Sequence, residues 1–219
     1  TDNLLDEIRE VTMSEERNRA IVTKLKSRYR DLERTFNNNS NAYQEIYNNV
    51  ELQFENIEKK FQDFEDVMEN NEYDEVVKVV RVLDEMIAHI GVVVEETPDL
   101  ILLINKIIPT RIKEIRDAYS KMVSKGYPLG YLQVEYNLNT IEEKIKETYD
   151  RLKMLNLTDS MFELKTFLSY LDNLMNDFDN EKRSRKIFDE TAKTFKYKIE
   201  KVNKIVADIY SQLDDIKSM

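Results

Sequence analysis

His89 is the only histidine in the chain, and Glu85 stands one helical turn before it. A histidine and a carboxylate at that spacing can share a metal ion. A dinuclear carboxylate site, however, needs a second Glu-x-x-His helix, which is absent here. The plainer reading of His89 is a surface or boundary histidine. Asp63, Glu65, Asp66, Glu69 and Glu72 form an acidic run with neither the turn glycine nor the spacing of a calcium loop, so a solvated helix face is expected. Lys24, Lys26, Arg28, Arg30 and Arg34 make a basic strip suited to an acidic partner or a membrane surface, with ordinary helix-surface charge as the alternative. Cysteine is absent, which removes thiolate chemistry and disulfides and fits a reducing compartment. There is no Gly-rich phosphate loop and no Ser/His/Asp grouping. The expectation is a non-enzyme with no catalytic, metal or cofactor-binding residues, whose partner-binding residues the sequence alone does not locate.

Composition says what would carry such surfaces. The chain has 219 residues, 35% charged and 41% hydrophobic, with a formal net charge of −10. That much apolar content supports a folded chain. The acidic balance argues against non-specific binding to DNA or anionic lipid. Only three glycines and three prolines leave too little punctuation for a sheet protein, so long helices are expected. No apolar run approaches the roughly 20 residues needed to span a bilayer. Thr1 is not an initiator methionine, and the chain reads as an excised segment.

Along the chain, Leu4, Leu5, Ile8 and Val11 share one side of a first helical stretch. Tyr29, Phe36, Tyr43, Val50, Ile57 and Phe64 then stand seven apart, with Leu32, Tyr47, Phe54, Phe61 and Met68 beside them. This row keeps its phase across Asn37–Asn41, which predicts one continuous helix of about 85 Å from Ser14 to Asn70 with Asn39 near the seam. Asn70, Asn71 and Glu72 make a turn. A second helix follows with Val76, Val80, Leu83, Ile87, Ile90 and Val94 inward. Thr97 is placed to cap a further helix beginning at Pro98, which Gly126 and Pro128 end. Pro109 predicts a kink and a carbonyl of Asn105 left without its donor. Leu138, Ile141, Ile145, Tyr149, Leu152 and Leu155 face inward on the next helix. Ser160 with Glu163 forms a capping-box pattern opening the last one. There Phe167, Leu174, Phe188, Phe195, Val202, Ile209 and Ile216 keep one inward row, with Glu181 its polar member and Arg185 interrupting the row beside it.

An internal repeat underlies these rows. The stretch Ile57–Phe61 resembles Ile141–Ile145, and at the same offset Val80, Leu83, Ile87, Ile90 and Val94 map onto Leu164, Phe167, Leu171, Leu174 and Phe178. The stretch Glu16–Ile21 matches the residues ending at Ile187, two repeat lengths on, which pairs Arg19 with Arg185. Both arginines are expected to meet acids of a neighbouring helix. The fold class implied is all-α: an elongated rod of spectrin-like antiparallel three-helix bundles sharing long continuous helices. Residues 1–41 read as the remnant of a preceding bundle, 43–125 as one repeat and 131–219 as a second.

Glu114-Ile115-Arg116, Tyr119, Met122 and Gly126-Tyr127 resemble the E-L-R-x-G-Y-x-x-M-x-x-x-G-Y signature of the septation-ring formation regulators (EzrA) of Gram-positive bacteria, with Ala118 where that family often has Gly. Glu16, Asn18, Arg19, Leu25-Lys26 and Tyr29-Arg30 resemble a second segment of the family, as do Phe61, Phe64 and Tyr73. The family's N-terminal membrane helix and C-terminal polar motif are not among these residues. The resemblance implies a cofactor-free scaffold on the cytoplasmic side of the membrane at the division septum. It would bind the tubulin-like GTPase FtsZ, restrain ring assembly, contact peptidoglycan-synthesis and other division proteins, and be open to self-association. A generic spectrin-type cytoskeletal adaptor and a membrane-curving helical module are the other classes that this fold would serve.

Overall fold

The structure is a computed structural model and describes residues 2–217, with side chains described for residue 10 and residues 12–210. Leu4, Leu5, Ile8, Val11 and Ile216 therefore lie outside the described side chains. Six long helices carry the described residues: α1 Asp2–Asn38, α2 Tyr47–Glu69, α3 Tyr73–Leu102, α4 Ile108–Ser124, α5 Val134–Lys153 and α6 Ser160–Lys217. No strand occurs among the described residues, and the fold is all-α as expected.

The chain divides into two compact units, Thr1–Ile112 with Glu135–Leu168, and Lys113–Val134 with Ser169–Met219. In the first, α1, α2 and α3 pack around one aromatic and aliphatic core. Val22, Leu25, Tyr29, Leu32 and Phe36 of α1 are buried, as are Val50, Phe54, Ile57, Phe61 and Phe64 of α2 and Val76, Val80, Leu83, Ile87 and Ile90 of α3. Tyr29 meets Phe54 and Phe61 edge-on, at ring-centroid distances of 5.6 and 5.7 Å. Such pairs add about 0.5–1.5 kcal/mol beyond area burial. Leu138, Ile141, Ile145 and Leu152 of α5 and Leu164 of α6 are buried in the same unit.

The continuous helix through Asn39 does not form. α1 ends at Asn38, a 3-10 turn follows at Ser40–Tyr43, and α2 starts at Tyr47. Phe36 then meets Tyr43 at 5.0 Å, Tyr47 at 4.9 Å and Phe54 at 5.5 Å, contacts possible only if the chain folds back on itself. The heptad phase persists because both arms of the hairpin bury the same row. The run of four asparagines and a serine supplies the weak helix formers that let the chain turn.

At Asn70–Glu72 the turn forms as expected. Asn71 takes φ 61°, its N–H donates to the Met68 carbonyl at 3.3 Å, and that of Glu72 donates to Val67 at 3.0 Å. This is a Schellman closure with asparagine in the left-handed position usually held by glycine. Gly126, at φ 77°, closes α4 the same way through Tyr127 N–H to Met122 and its own N–H to Val123.

Pro98 does not open a helix. It lies inside α3, and Thr97, expected as a cap, is fully buried mid-helix with its hydroxyl unpartnered. A proline in a helix interior removes the bond to the carbonyl four residues back, here Val94. The Tyr43 hydroxyl, itself buried, donates to that carbonyl at 2.7 Å. Pro109 is handled differently. The five residues Leu103–Ile107 just before it form a π turn, in which the Ile108 N–H donates to the Leu103 carbonyl. Widening the turn makes room for a ring that would otherwise press on the preceding carbonyls.

The capping box of Ser160 and Glu163 does not form either. Ser160 is the first residue of α6, buried, with an unpartnered hydroxyl. Glu163 instead accepts from the guanidinium of Arg151 on α5, and Thr148 contacts it at 3.5 Å. The carboxylate thus ties two helices together rather than closing its own N-terminus.

In the second unit Tyr119 of α4 stacks on Phe178 of α6 at 6.3 Å, beside buried Ile115, Met122, Leu129, Leu171 and Leu174.

Two substitutions separate the roles of the buried hydroxyls. Tyr43→Phe should lower unfolding free energy by about 1–3 kcal/mol, because the Val94 carbonyl loses its donor while the ring stays. Thr97→Val, which deletes a hydroxyl with no partner at nearly constant volume, should hold or raise stability. Urea unfolding of both variants checks the opposite signs. Ser160→Ala should likewise leave the midpoint unchanged, whereas loss of a working N-cap would cost about 1 kcal/mol.

Candidate protein-interaction surface

The sequence candidates for ligand chemistry are dispersed or already matched. His89 and Glu85 are both exposed, and Glu85 accepts from Arg81 at 2.9 Å rather than from the histidine. Within the acidic run, Asp63 pairs with Lys60 at 2.6 Å and Glu65 with Lys26 at 2.8 Å. Among the described residues no group of three or more His, Cys, Asp or Glu is placed to hold a metal ion. Part of the basic strip is also engaged: Lys26 reaches Glu65, Arg34 pairs with Asp31 at 3.5 Å, and the guanidinium of Arg28 lies over α3 at Gly91. A Cβ at Gly91 would lie 3.0 Å from the end of the Arg28 side chain and 3.6 Å from Leu32, so the guanidinium would shift slightly to admit it.

Arg19 meets its expectation in part, pairing with Glu15 on its own helix at 3.2 Å and reaching Glu65 of α2 at 4.0 Å. Arg185 does not. Its acidic partner is Asp189, one turn on along α6 at 3.6 Å, and its guanidinium lies over the Tyr127 ring at 5.8 Å. Nearby, Lys182 donates to Asp179 at 2.9 Å, and this bond holds the Asp179 carboxyl below the usual range. Tyr29 shows the reverse effect: burial, then the carboxylates of Glu58 and Glu33, push its hydroxyl pKa well up, so it stays protonated as donor to Glu58 at 3.0 Å.

Two shallow grooves flank these elements. In the first unit, His89, Val92 and Glu96 of α3 face Leu157 and Phe162 across about 440 Å³. In the second, Lys121, Lys125 and Lys182 line about 470 Å³ together with Glu114, Asp117, Ala118, Met122 and Tyr127. Neither brings a nucleophile, a base and an oxyanion donor together.

A chemically distinct surface lies on α6. Every residue from Lys182 to Tyr210 is exposed. Phe188 is 68% exposed, Phe195 61%, Ile199 58%, Val202 56% and Ile209 51%, although they continue the helical row that Leu164, Leu171, Leu174 and Phe178 bury. Spacing alone predicts an inward row throughout, and here the structure corrects it. The row is legible in sequence and its lack of a covering element is not, because periodicity reports a face and never its occupant. One signal is available. Residues 182–207 hold nine Lys or Arg against three Asp or Glu, in a chain whose net charge is −10. Averaging over the whole chain hides that segregation. No helix among the described residues is long and apolar enough to cross a membrane.

Because these apolar groups are already in water, charging them should not unfold the chain. Phe195→Glu with Val202→Glu is expected to melt within about 0.5 kcal/mol of the parent, as surface substitutions do. A loss of about 2 kcal/mol or more in thermal unfolding, the scale of a core deletion, would show that the face is covered.

Comparison with known proteins adds the family. The profile described as septation ring formation regulator, EzrA, matches residues 1–219. The septation ring formation regulator EzrA of Bacillus licheniformis is 25% identical over 181 residues, covering 82% of this chain and 32% of that protein. The Bacillus velezensis protein is 26% identical over 151 residues, covering 69% of this chain and 27% of its own length. That of Listeria monocytogenes serotype 4a is 19% identical over 216 residues, 99% of this chain and 38% of the relative. The chain thus spans about a third of the length of these relatives. No solved structure matches it. The match over the full length of the chain places the protein in the septation ring formation regulator (EzrA) family.

Proposed function

We propose that this chain is a spectrin-like helical part of a non-enzymatic scaffold that regulates bacterial cell division. It acts at the cytoplasmic side of the septal membrane, where it binds FtsZ, restrains ring assembly and links the ring to cell-wall synthesis proteins. The observation that carries this reading is the match of residues 1–219 to the septation-regulator family, beside which the exposed apolar residues of α6 from Phe188 to Ile209 offer surface for protein contact. Apolar faces of that length mark protein interaction sites. The internal repeat supports the scaffold role, since repeated helical units present side chains at regular intervals without a cofactor.

The reading is tested by adding the 219-residue chain to FtsZ polymerising with GTP and pelleting the polymer. The chain should appear in the pellet, and pelleted FtsZ should fall as chain is added. Unchanged FtsZ pellets with all of the chain left in the supernatant would reject the proposal.

A further inference from the structure

We propose that the groove beside Tyr127 binds an extended acidic peptide of a partner protein, which lays two carboxylates on Lys121 and Lys125. The site uses no α6 residue from Phe188 to Ile209 and does not depend on the division target. It is built by the end of α4. Gly126, at φ 77°, turns the chain so that the Tyr127 N–H donates to the Met122 carbonyl at 3.2 Å, which brings Tyr127 back beside the last turn. From α6 the Arg185 guanidinium lies over the Tyr127 ring at 5.8 Å. Tyr127 then lines about 470 Å³ with Ala118 and Met122 of α4, all within the second unit. Ligand sites commonly enclose about 300–1,000 Å³ and pair apolar lining with a few placed polar groups. Here the polar groups include Lys121, Lys125 and Lys182.

Charge selects the occupant. Ala118–Tyr131 and Lys182–Phe188 together hold six Lys or Arg and no Asp or Glu, in a chain whose net charge is −10. Lys182 is bonded to Asp179 and Arg185 to Asp189. Lys121 and Lys125 are exposed and take part in no ion pair among the described residues. Asp117 and Glu114 also line the groove but precede Lys121 by one and two turns of α4. Basic residues near the end of a helix offset its dipole, a role that needs no groove. Their spacing points further. Residues four apart on a helix stand about 6 Å apart along its axis. An extended peptide sets residues i and i+2 on one side, about 6.6 Å apart. Two acids separated by one residue therefore match the two ammonium groups, and an apolar residue between them is left for Tyr127. A compact phosphate suits the site less well, because the C-terminal end of α4 presents carbonyl oxygens where phosphate sites present N–H groups. A lipid surface calls for a broad polybasic face rather than a groove.

The test titrates the full chain with a labelled peptide carrying Glu-Leu-Glu-Leu-Glu between Gly and Ser flanks. The same peptide with Lys in place of Glu is the control. The Glu peptide should bind about tenfold more tightly than the Lys peptide. Lys121→Gln with Lys125→Gln should weaken it about tenfold while helicity by circular dichroism stays unchanged. Ala118→Leu, which fills the groove and alters no charge, should weaken it as well. Lys196→Gln with Lys198→Gln, elsewhere on the basic stretch of α6, should leave binding as it was. Equal binding of the two peptides, full binding by the Lys121 and Lys125 double variant or by Ala118→Leu, or an equal loss from the Lys196 and Lys198 pair would overturn the proposal. So would no binding at roughly 100-micromolar concentration, displacement by inorganic phosphate at matched ionic strength, or capture by phosphatidylglycerol vesicles in place of the peptide. A chain that pellets with FtsZ yet ignores the Glu peptide refutes this site only, and one that binds the peptide yet leaves FtsZ untouched refutes the division target only.

Discussion

The bond from the Tyr43 hydroxyl to the Val94 carbonyl is the contact on which the first unit depends. Pro98 sits inside a helix that must stay intact for Val93, Val94, Leu100 and Ile104 to remain buried. The proline leaves a carbonyl without its helical donor in a buried place, and an unsatisfied buried group costs about 1–3 kcal/mol. Tyr43 can reach that carbonyl only because α1 ends at Asn38 and the following 3-10 turn brings residue 43 beside α3. The asparagine-rich turn and the internal proline are thus one solution, although Tyr43 and Pro98 belong to distant parts of the chain.

That coupling explains which sequence readings succeed. Helix content and inward rows are legible because a 3.6-residue period needs only one sequence and no partner. The faces of α2, α3 and α5 are buried at Ile57, Leu83 and Ile141 as their spacing requires. Helix ends are legible where local chemistry decides them, as at Asn71 and Gly126. They are misread where a distant group decides. Pro98 looks like a helix start until Tyr43 is placed beside it. Ser160 and Glu163 look like a capping box until Arg151 competes for the carboxylate. The asparagine run looks like part of a long helix because the row of Phe36 and Tyr43 does not change phase when the chain reverses.

The exposed face of α6 is harder to see for a different reason. Phe188 and Phe195 have the same period as Leu171 and Phe178, and nothing in spacing distinguishes a covered row from an open one. The distinction lies in charge. Around the buried part of α6, Asp172, Asp177 and Asp179 are interspersed with neutral residues, whereas from Lys182 onward basic residues dominate. A net charge of −10 therefore describes the chain's average and not the surface a partner meets.

The helical state of this open stretch has a physical origin that bears on how it would bind. Nucleation is the unfavourable step in forming a helix, and propagation from an existing turn adds one bond for each residue fixed. Leu164, Leu171, Leu174 and Phe178 anchor the first turns of α6 by packing, so the later turns extend a nucleus already made. Lys182 with Asp179 and Arg185 with Asp189 add pairs at three- and four-residue spacing along the way, each contributing about 0.2–0.5 kcal/mol to helix formation. A partner would then meet Phe195, Ile199 and Val202 on one side of a formed helix rather than on a disordered chain. Association with a preformed seam avoids most of the ordering cost of coupled folding. The packing of one half of α6 thereby helps to keep the other half helical.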